Sequence, residues 1–304
     1  VAVGLAGLAA TAALGLVFTQ VLGGTISEGS LVQLAARGVP IHAAAGLGGW
    51  LGMCAVGVSY RLFPMFLLAP DLVRPGTRLA FVLATIAAGT AIGGGIAVVL
   101  AGWPLSQVMS AAALAGAGAA LVYGRDVVFF YRSRRRRELE LNTRIAILAF
   151  ASLGMSVLLP APLVAFVGFE KAVAASAYLA AFGWLSGLGL AKLYKIVPFM
   201  TWLECYGPVL GRAPTPRVQD LVAEERALPW FLLYFVAVWG GTAALALGSG
   251  AGFQLAAAGT LAATVAVAAH LVRARLLRNV DRARRFPQGA HRPSLLYSFA
   301  ADGR

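Results

Sequence analysis

Histidine, cysteine and acidic residues are scarce in this chain, and each shortage closes a class of chemistry. Of 304 residues, 3 are His, 2 are Cys and 12 are Asp or Glu, against 25 Lys and Arg. Cys54 and Cys205 have no CxxC partner, so they supply neither a disulfide framework nor a thiolate ligand pair. No HxxxH or HExxH pattern occurs, and no two carboxylates share an apolar segment. Gly93-Gly94-Gly95 is not followed by the Lys-Ser of a phosphate loop. The strict apolar–polar alternation of a membrane barrel is also missing.

What fills the chain instead is apolar sequence. Hydrophobic residues make up 60%, charged residues 12%, and the mean hydropathy is +0.80. Such a composition belongs to a multi-pass membrane protein rather than a soluble domain. Runs of about 20 residues, enough to cross a hydrocarbon core of roughly 30 Å, fall near 1–23, 41–63, 78–101, 105–128, 145–168, 172–197, 229–249 and 253–272. The expected fold is an all-α, polytopic membrane helix bundle of about eight transmembrane helices. The first run is a full span without a charged leader or cleavage site, so it does not read as a cleaved signal. The chain begins at Val1 rather than Met, which leaves open whether sequence precedes it.

Cations near helix ends stay on the cytoplasmic side of a membrane. With eight helices, 23 of the 25 basic residues fall on one side, and only Arg37 and Lys171 on the other. Both termini are therefore expected in the cytoplasm of a bacterial-type inner membrane. The net charge of +13 is concentrated at helix ends, as in Arg134 to Arg137 and the run from Arg273 to Arg285. That placement fits anionic lipid headgroups as partners and argues against nucleic acid.

Two stretches repeat one another without a gap. Gly49-Trp50-Leu51, Tyr60-Arg61-Leu62 and Pro64 recur 134 positions on as Gly183-Trp184-Leu185, Tyr194-Lys195-Ile196 and Pro198. The expected organisation is two parallel four-helix repeats, residues 1–131 and 145–275, joined by a basic linker at 132–144 and followed by a basic tail at 276–304. Within each motif, Trp and cation are eleven residues apart, about 20° on one helical face. Pro64 and Pro198 remove a backbone donor each, so each motif is expected to kink or stop there. A repeated helix terminus with a snorkelling cation accounts for these features. A second reading joins Arg61, Arg125, Lys192, Lys195 and Arg273 in a polar layer near the inner leaflet, with Asp126 as its nearby acid. Such a layer would hold an anion: a haem propionate, a lipid phosphate or a carboxylate substrate.

Between the first two runs, Ser27 to Gly38 suits a short surface helix. The segment from Thr201 to Pro229 reads as a polar connector with one helical turn near Val218 to Glu224, and the tail after Leu277 as poorly ordered. Among the histidines, His42 and His270 lie at opposite ends of their spans, roughly 25 Å apart in depth, and cannot share a haem. His291 is in the tail. His42 is then a lone metal ligand or a hydrogen-bonded structural residue, and Ser176 stands at its position in the second half.

The stretch His42-Ala43-Ala44-Ala45-Gly46-Leu47-Gly48-Gly49-Trp50, with Gly57-Val58-Ser59-Tyr60-Arg61-Leu62-Phe63-Pro64 after it, resembles a His-x-x-x-Gly-x-x-Gly-Trp helix of proteins similar to haem–copper oxidase subunit I. Nitric-oxide reductase large subunits and membrane proteins of the nitric-oxide response share the same broad resemblance. It implies four-helix arcs about a pseudo-threefold axis, so that eight helices would be two arcs. Active members carry several central histidines, and only His42 corresponds to one here. The resemblance thus implies an accessory or haem-handling protein of a respiratory or nitrogen-oxide pathway, not itself an oxidase. Haem b would be the cofactor, His42 its metal ligand, and Trp50, Arg61, Trp184 and Lys195 the other cofactor-binding residues. Two alternatives from other classes remain: a channel or carrier for a small solute or metal, and a structural subunit docked to other membrane subunits.

Overall fold

The computed structural model describes residues 1–70, 75–290 and 293. Every regular element among them is helical, and eight helices are long and apolar enough to cross a membrane. These are α1 (Ala2–Leu22), α3 (Val39–Leu67), α4 (Gly76–Leu100), α5 (Leu105–Arg132), α6 (Leu141–Leu158), α8 (Phe169–Val209), α9 (Glu224–Leu247) and α10 (Gly250–Arg275). Shorter helices are α2 (Gly29–Arg37), α7 (Pro160–Val167) and α11 (Arg282–Arg285). The chain is a multi-pass, all-α membrane protein. It divides into two compact units, Val1–Glu138 and Leu139–Arg304, with four spans each.

In unit 1, α1 packs along the upper part of α3, α4 pairs with α5, and the lower part of α3 meets α5. The first of these contacts is a backbone-to-backbone crossing. A Cβ on Gly7 would stand 2.5 Å from the carbonyl carbon of Gly49, so only glycine lets α1 and α3 approach this closely. Short helix α2 forms where its amphipathic pattern predicts one. Leu34 drives it into a cluster with Leu14, Ile41 and Val99, and Arg37 donates to the carbonyl of Trp103 at 2.6 Å.

Unit 2 repeats this order of pairing, with α6 lying along both the upper and lower parts of α8, α9 paired with α10, and the lower part of α8 meeting α10. The α9–α10 hairpin turns on two residues. Gly248 takes φ +72°, and the Ser249 hydroxyl caps α10 by accepting from the Gly252 amide at 3.2 Å. Polar ties inside the unit run from Tyr234 to the Phe182 carbonyl at 2.8 Å and from Trp239 Nε1 to Ser152 Oγ at 2.9 Å.

Three spans contain π-helical segments: Ala44–Gly52 in α3, Thr90–Gly94 in α4 and Leu179–Ser186 in α8. The first and third contain the two Gly-Trp-Leu triplets. Each i→i+5 turn holds one residue more than an α turn, which the even 100° spacing of the sequence reading did not allow for.

Several expected boundaries shift. Pro198 does not end its helix: α8 continues through it, and the helical backbone reaches Tyr206 before a last 3₁₀ turn. Pro64 lies inside α3, which stops three residues later at Leu67. Both prolines are buried inside their helices, and an interior proline is tolerated in a membrane span where packing holds the helix together. Pro160 instead splits the fifth run into α6 and α7, where it occupies a first-turn position. The connector after α8 and the start of the tail fold together. Cys205, Tyr206, Val209, Leu221, Leu277 and Val280 form one buried cluster, sealed by Trp202 donating to the Pro216 carbonyl and Tyr206 to that of Arg285. Cys205 is thus a core residue, not a loop thiol.

Candidate functional site

Each unit gathers most of its ionisable side chains at the end of its spans where the basic residues concentrate. In unit 1 the centre is Asp126. Tyr123, Asp126 and Phe130 follow one another at i, i+3 and i+7, which puts them on one face of α5, turned toward α3. Asp126 is 3% exposed, and its Oδ2 accepts from the Tyr60 hydroxyl at 2.9 Å. Arg125 adds a contact to Oδ1 at 3.5 Å and extends outward, with 66% of its side chain accessible. The Tyr123 and Ser59 hydroxyls share a 2.5 Å hydrogen bond, and the rings of Tyr60 and Tyr123 meet edge to face at 5.5 Å. A buried carboxylate in a bilayer is costly unless paired. Here a phenol and a guanidinium do the pairing. Arg61, one residue beyond Tyr60, points to the exposed side of α3 instead.

In unit 2 the corresponding cation is turned inward. Lys195 Nζ lies 2.7 Å and 2.9 Å from the two carboxylate oxygens of Glu140, with side chains only 17% and 10% exposed. Gln219 and Asn142 donate to the same carboxylate at 3.2 Å and 3.0 Å. Lys192, also buried, lies close enough to feel the Glu140 charge. Glu224, at the start of α9, accepts from the Leu141 amide at 3.0 Å and pairs with Arg144 at 3.4 Å. Glu140 is the residue that sequence reasoning missed. It stands in the basic linker, outside every apolar run, yet as the N-cap of α6 it folds back against α8. Its signal was an acid directly before a helix start, Glu140-Leu141-Asn142.

The two motifs therefore share a backbone more than a site. Tyr60 is tied to Asp126, whereas the hydroxyl of Tyr194 is buried without a hydrogen-bond partner and its ring stands edge-on to Phe231 at 5.4 Å. Trp184 Nε1 is likewise buried and without a partner, while Trp50 is half-buried. Of the remaining cations, Arg275 is buried against Glu204 and Thr201. Arg273 is exposed and lines an open cavity of about 540 Å³ with Glu225, Arg226, Arg278 and Asn279.

His42 sits near the other end of unit 1. Its ring packs against α1, 5.7 Å from that of Phe18 and close to Gly15, and Nδ1 is buried without a hydrogen-bond partner. An unpartnered nitrogen is what a metal ligand offers, but the surroundings do not make a haem site. A Cβ on Gly15 would already stand 3.3 Å from His42 Cε1, so α1 fills the space beside the ring. Arg61 is nineteen residues further along α3, roughly 28 Å at 1.5 Å per residue, beyond reach of a propionate on a His42-bound haem. Lys195 is already held by Glu140. His270 is half-buried in α10, and His291 lies outside the described residues. Among the described residues no three His, Cys, Asp or Glu side chains gather as a metal centre.

No family model, curated protein or solved structure matches this chain.

Proposed function

We propose that this membrane protein is an accessory protein of a respiratory or nitrogen-oxide pathway, built from two four-helix arcs of the haem–copper oxidase subunit I kind, and not itself an oxidase. One observation carries the reading. The π-helical segments Ala44–Gly52 and Leu179–Ser186 hold the two Gly-Trp-Leu triplets at the same 134-residue offset, within units that pair their helices in the same order. A duplicated arc accounts for both. Haem handling receives less support, because the space beside His42 is packed and Lys195 is committed to Glu140, and no chemical step is assigned to haem.

A docking role is favoured by how little unit 1 covers itself. Its apolar windows are 11–22% buried, whereas three of the four in unit 2 are 33–50% buried. Uncovered helix faces meet lipid or a neighbouring membrane subunit. Anionic headgroups against the basic segments complete the proposed partners, in a bacterial-type inner membrane with both termini cytoplasmic.

The decisive experiment is deletion from the native organism, followed by oxygen- and nitric-oxide-consumption assays on isolated membranes and on the purified chain. The expected result is reduced activity or assembly of a haem–copper enzyme in the membranes, with no turnover by the chain alone. Unchanged membranes, or turnover by the isolated chain, would overturn the proposal.

A further inference from the structure

The cavity at the open end of the α9–α10 hairpin collects arginines that form no ion pair among the described residues. It is lined by Glu224, Glu225, Arg226, Arg273, Arg278 and Asn279, among others, and its volume of about 540 Å³ is that of a small-ligand site. Arg226, Arg273 and Arg278 are exposed and form no ion pair among the described residues. Of the two acids, Glu224 is occupied elsewhere by the Leu141 amide and Arg144. Asn279 is fixed by donating to the Leu221 carbonyl at 2.9 Å. Three guanidinium groups facing one free carboxylate, that of Glu225, attract an anion. Phosphate oxygens match the planar donor fork of arginine.

Depth selects the source of that phosphate. Helices α9 and α10 have 24 and 26 residues, about 36 Å and 39 Å long at 1.5 Å per residue, against a hydrocarbon core of about 30 Å. Their ends project into the headgroup layer, and Arg226 in the first turn of α9 and Arg273 in the last turn of α10 lie at the same end. Trp230, one turn from Arg226 and 38% exposed, stands where aromatic side chains mark the interface, and exposed Val272 adjoins Arg273. Phosphate-binding groups thus border an apolar surface suited to acyl chains.

We infer that this cavity binds the phosphate of one anionic phospholipid headgroup, through Arg226, Arg273 and Arg278. The site narrows the lipid partnership proposed above to a single pocket, and it needs only the membrane-spanning fold, not the oxidase-like ancestry. The full chain, purified in detergent, is titrated with phosphatidylglycerol and the bound lipid counted by native mass spectrometry. Replacing all three residues together, as Arg226→Gln, Arg273→Gln and Arg278→Gln, weakens binding of one lipid by tenfold or more, about the worth of a single charge-assisted contact. Glu225→Gln acts in the opposite direction, tightening binding by removing the opposing charge, and so tests the site even if the triple variant does not fold. A chain with Arg134 to Arg137 replaced by Gln retains the lipid. Equal loss in that control would leave only a general charge effect and overturn the pocket. Unaltered binding by a folded triple variant, or no tightening by Glu225→Gln, would do the same. Inorganic phosphate at millimolar concentration leaves the lipid bound, and its displacement would reassign the site to a soluble anion.

Discussion

Lys195 and Arg61 occupy equivalent positions in the repeat and have opposite fates, one paired in a protein interior, the other turned outward. The difference comes from Glu140, whereas no carboxylate among the described residues pairs with Arg61. Because the Lys195–Glu140 pair is largely withdrawn from water, Glu140→Gln leaves an uncompensated ammonium, at a cost of about 3 kcal/mol. Thermal unfolding in detergent should show that loss, and adding Lys195→Met should restore most of it. Arg61→Met should leave the unfolding midpoint nearly unchanged. Tyr60→Phe removes the phenol that supports the buried Asp126 and should cost about 1–2 kcal/mol. Asp126 was legible in the sequence because an acid within an apolar run has no cheap alternative to a partner. Its partner was not, since Tyr60 meets it only through the packing of α3 on α5. Glu140 was passed over for the converse reason: in a polar linker a carboxylate at a helix start needs no explanation beyond capping.

At the level of elements, hydropathy located the spans and misjudged their ends. Helical backbone needs no apolar side chains once it leaves the hydrocarbon, so α8 runs on past Pro198 while the apolar pattern fades. The buried cluster around Cys205 and Leu277 forms from residues too scattered in sequence to read as a core. Close approach is similarly unreadable. Gly7 and Gly48 look equivalent on paper, yet a Cβ on Gly7 meets the backbone of Gly49, and one on Gly48 meets open space. Gly7→Ala should therefore force α1 from α3 and cost about 2 kcal/mol, whereas Gly48→Ala should be neutral or mildly stabilising. Parallel thermal melts of the two variants give the comparison directly.

For the whole molecule, charge distribution makes the sharpest prediction, because it assigns a side of the membrane to each loop. Ser30, in the exposed surface of α2, and Ser133, at the end of α5, lie at opposite ends of unit 1's spans. In intact cells a membrane-impermeant maleimide should label Ser30→Cys and spare Ser133→Cys, and inverted vesicles should reverse the pattern. Labelling of both from one side would discard the eight-span topology. The positions of the spans were readable because burying backbone in lipid leaves so few solutions. The pairing of α1 with α3 and of α6 with α8 was not, since it depends on contacts between residues that no local pattern links.

The π-helical turns give this chain a tolerance to length change that ordinary membrane helices lack. Deleting one residue from an α-helical span rotates everything after it by about 100° and turns buried faces to lipid. Within Ala44–Gly52 or Leu179–Ser186, the same deletion can be absorbed by relaxing a wide turn to an α-helical one, leaving the flanking faces in register. Three of the eight spans thus carry slack, and natural one-residue indels should accumulate there before they appear in α6, α9 or α10.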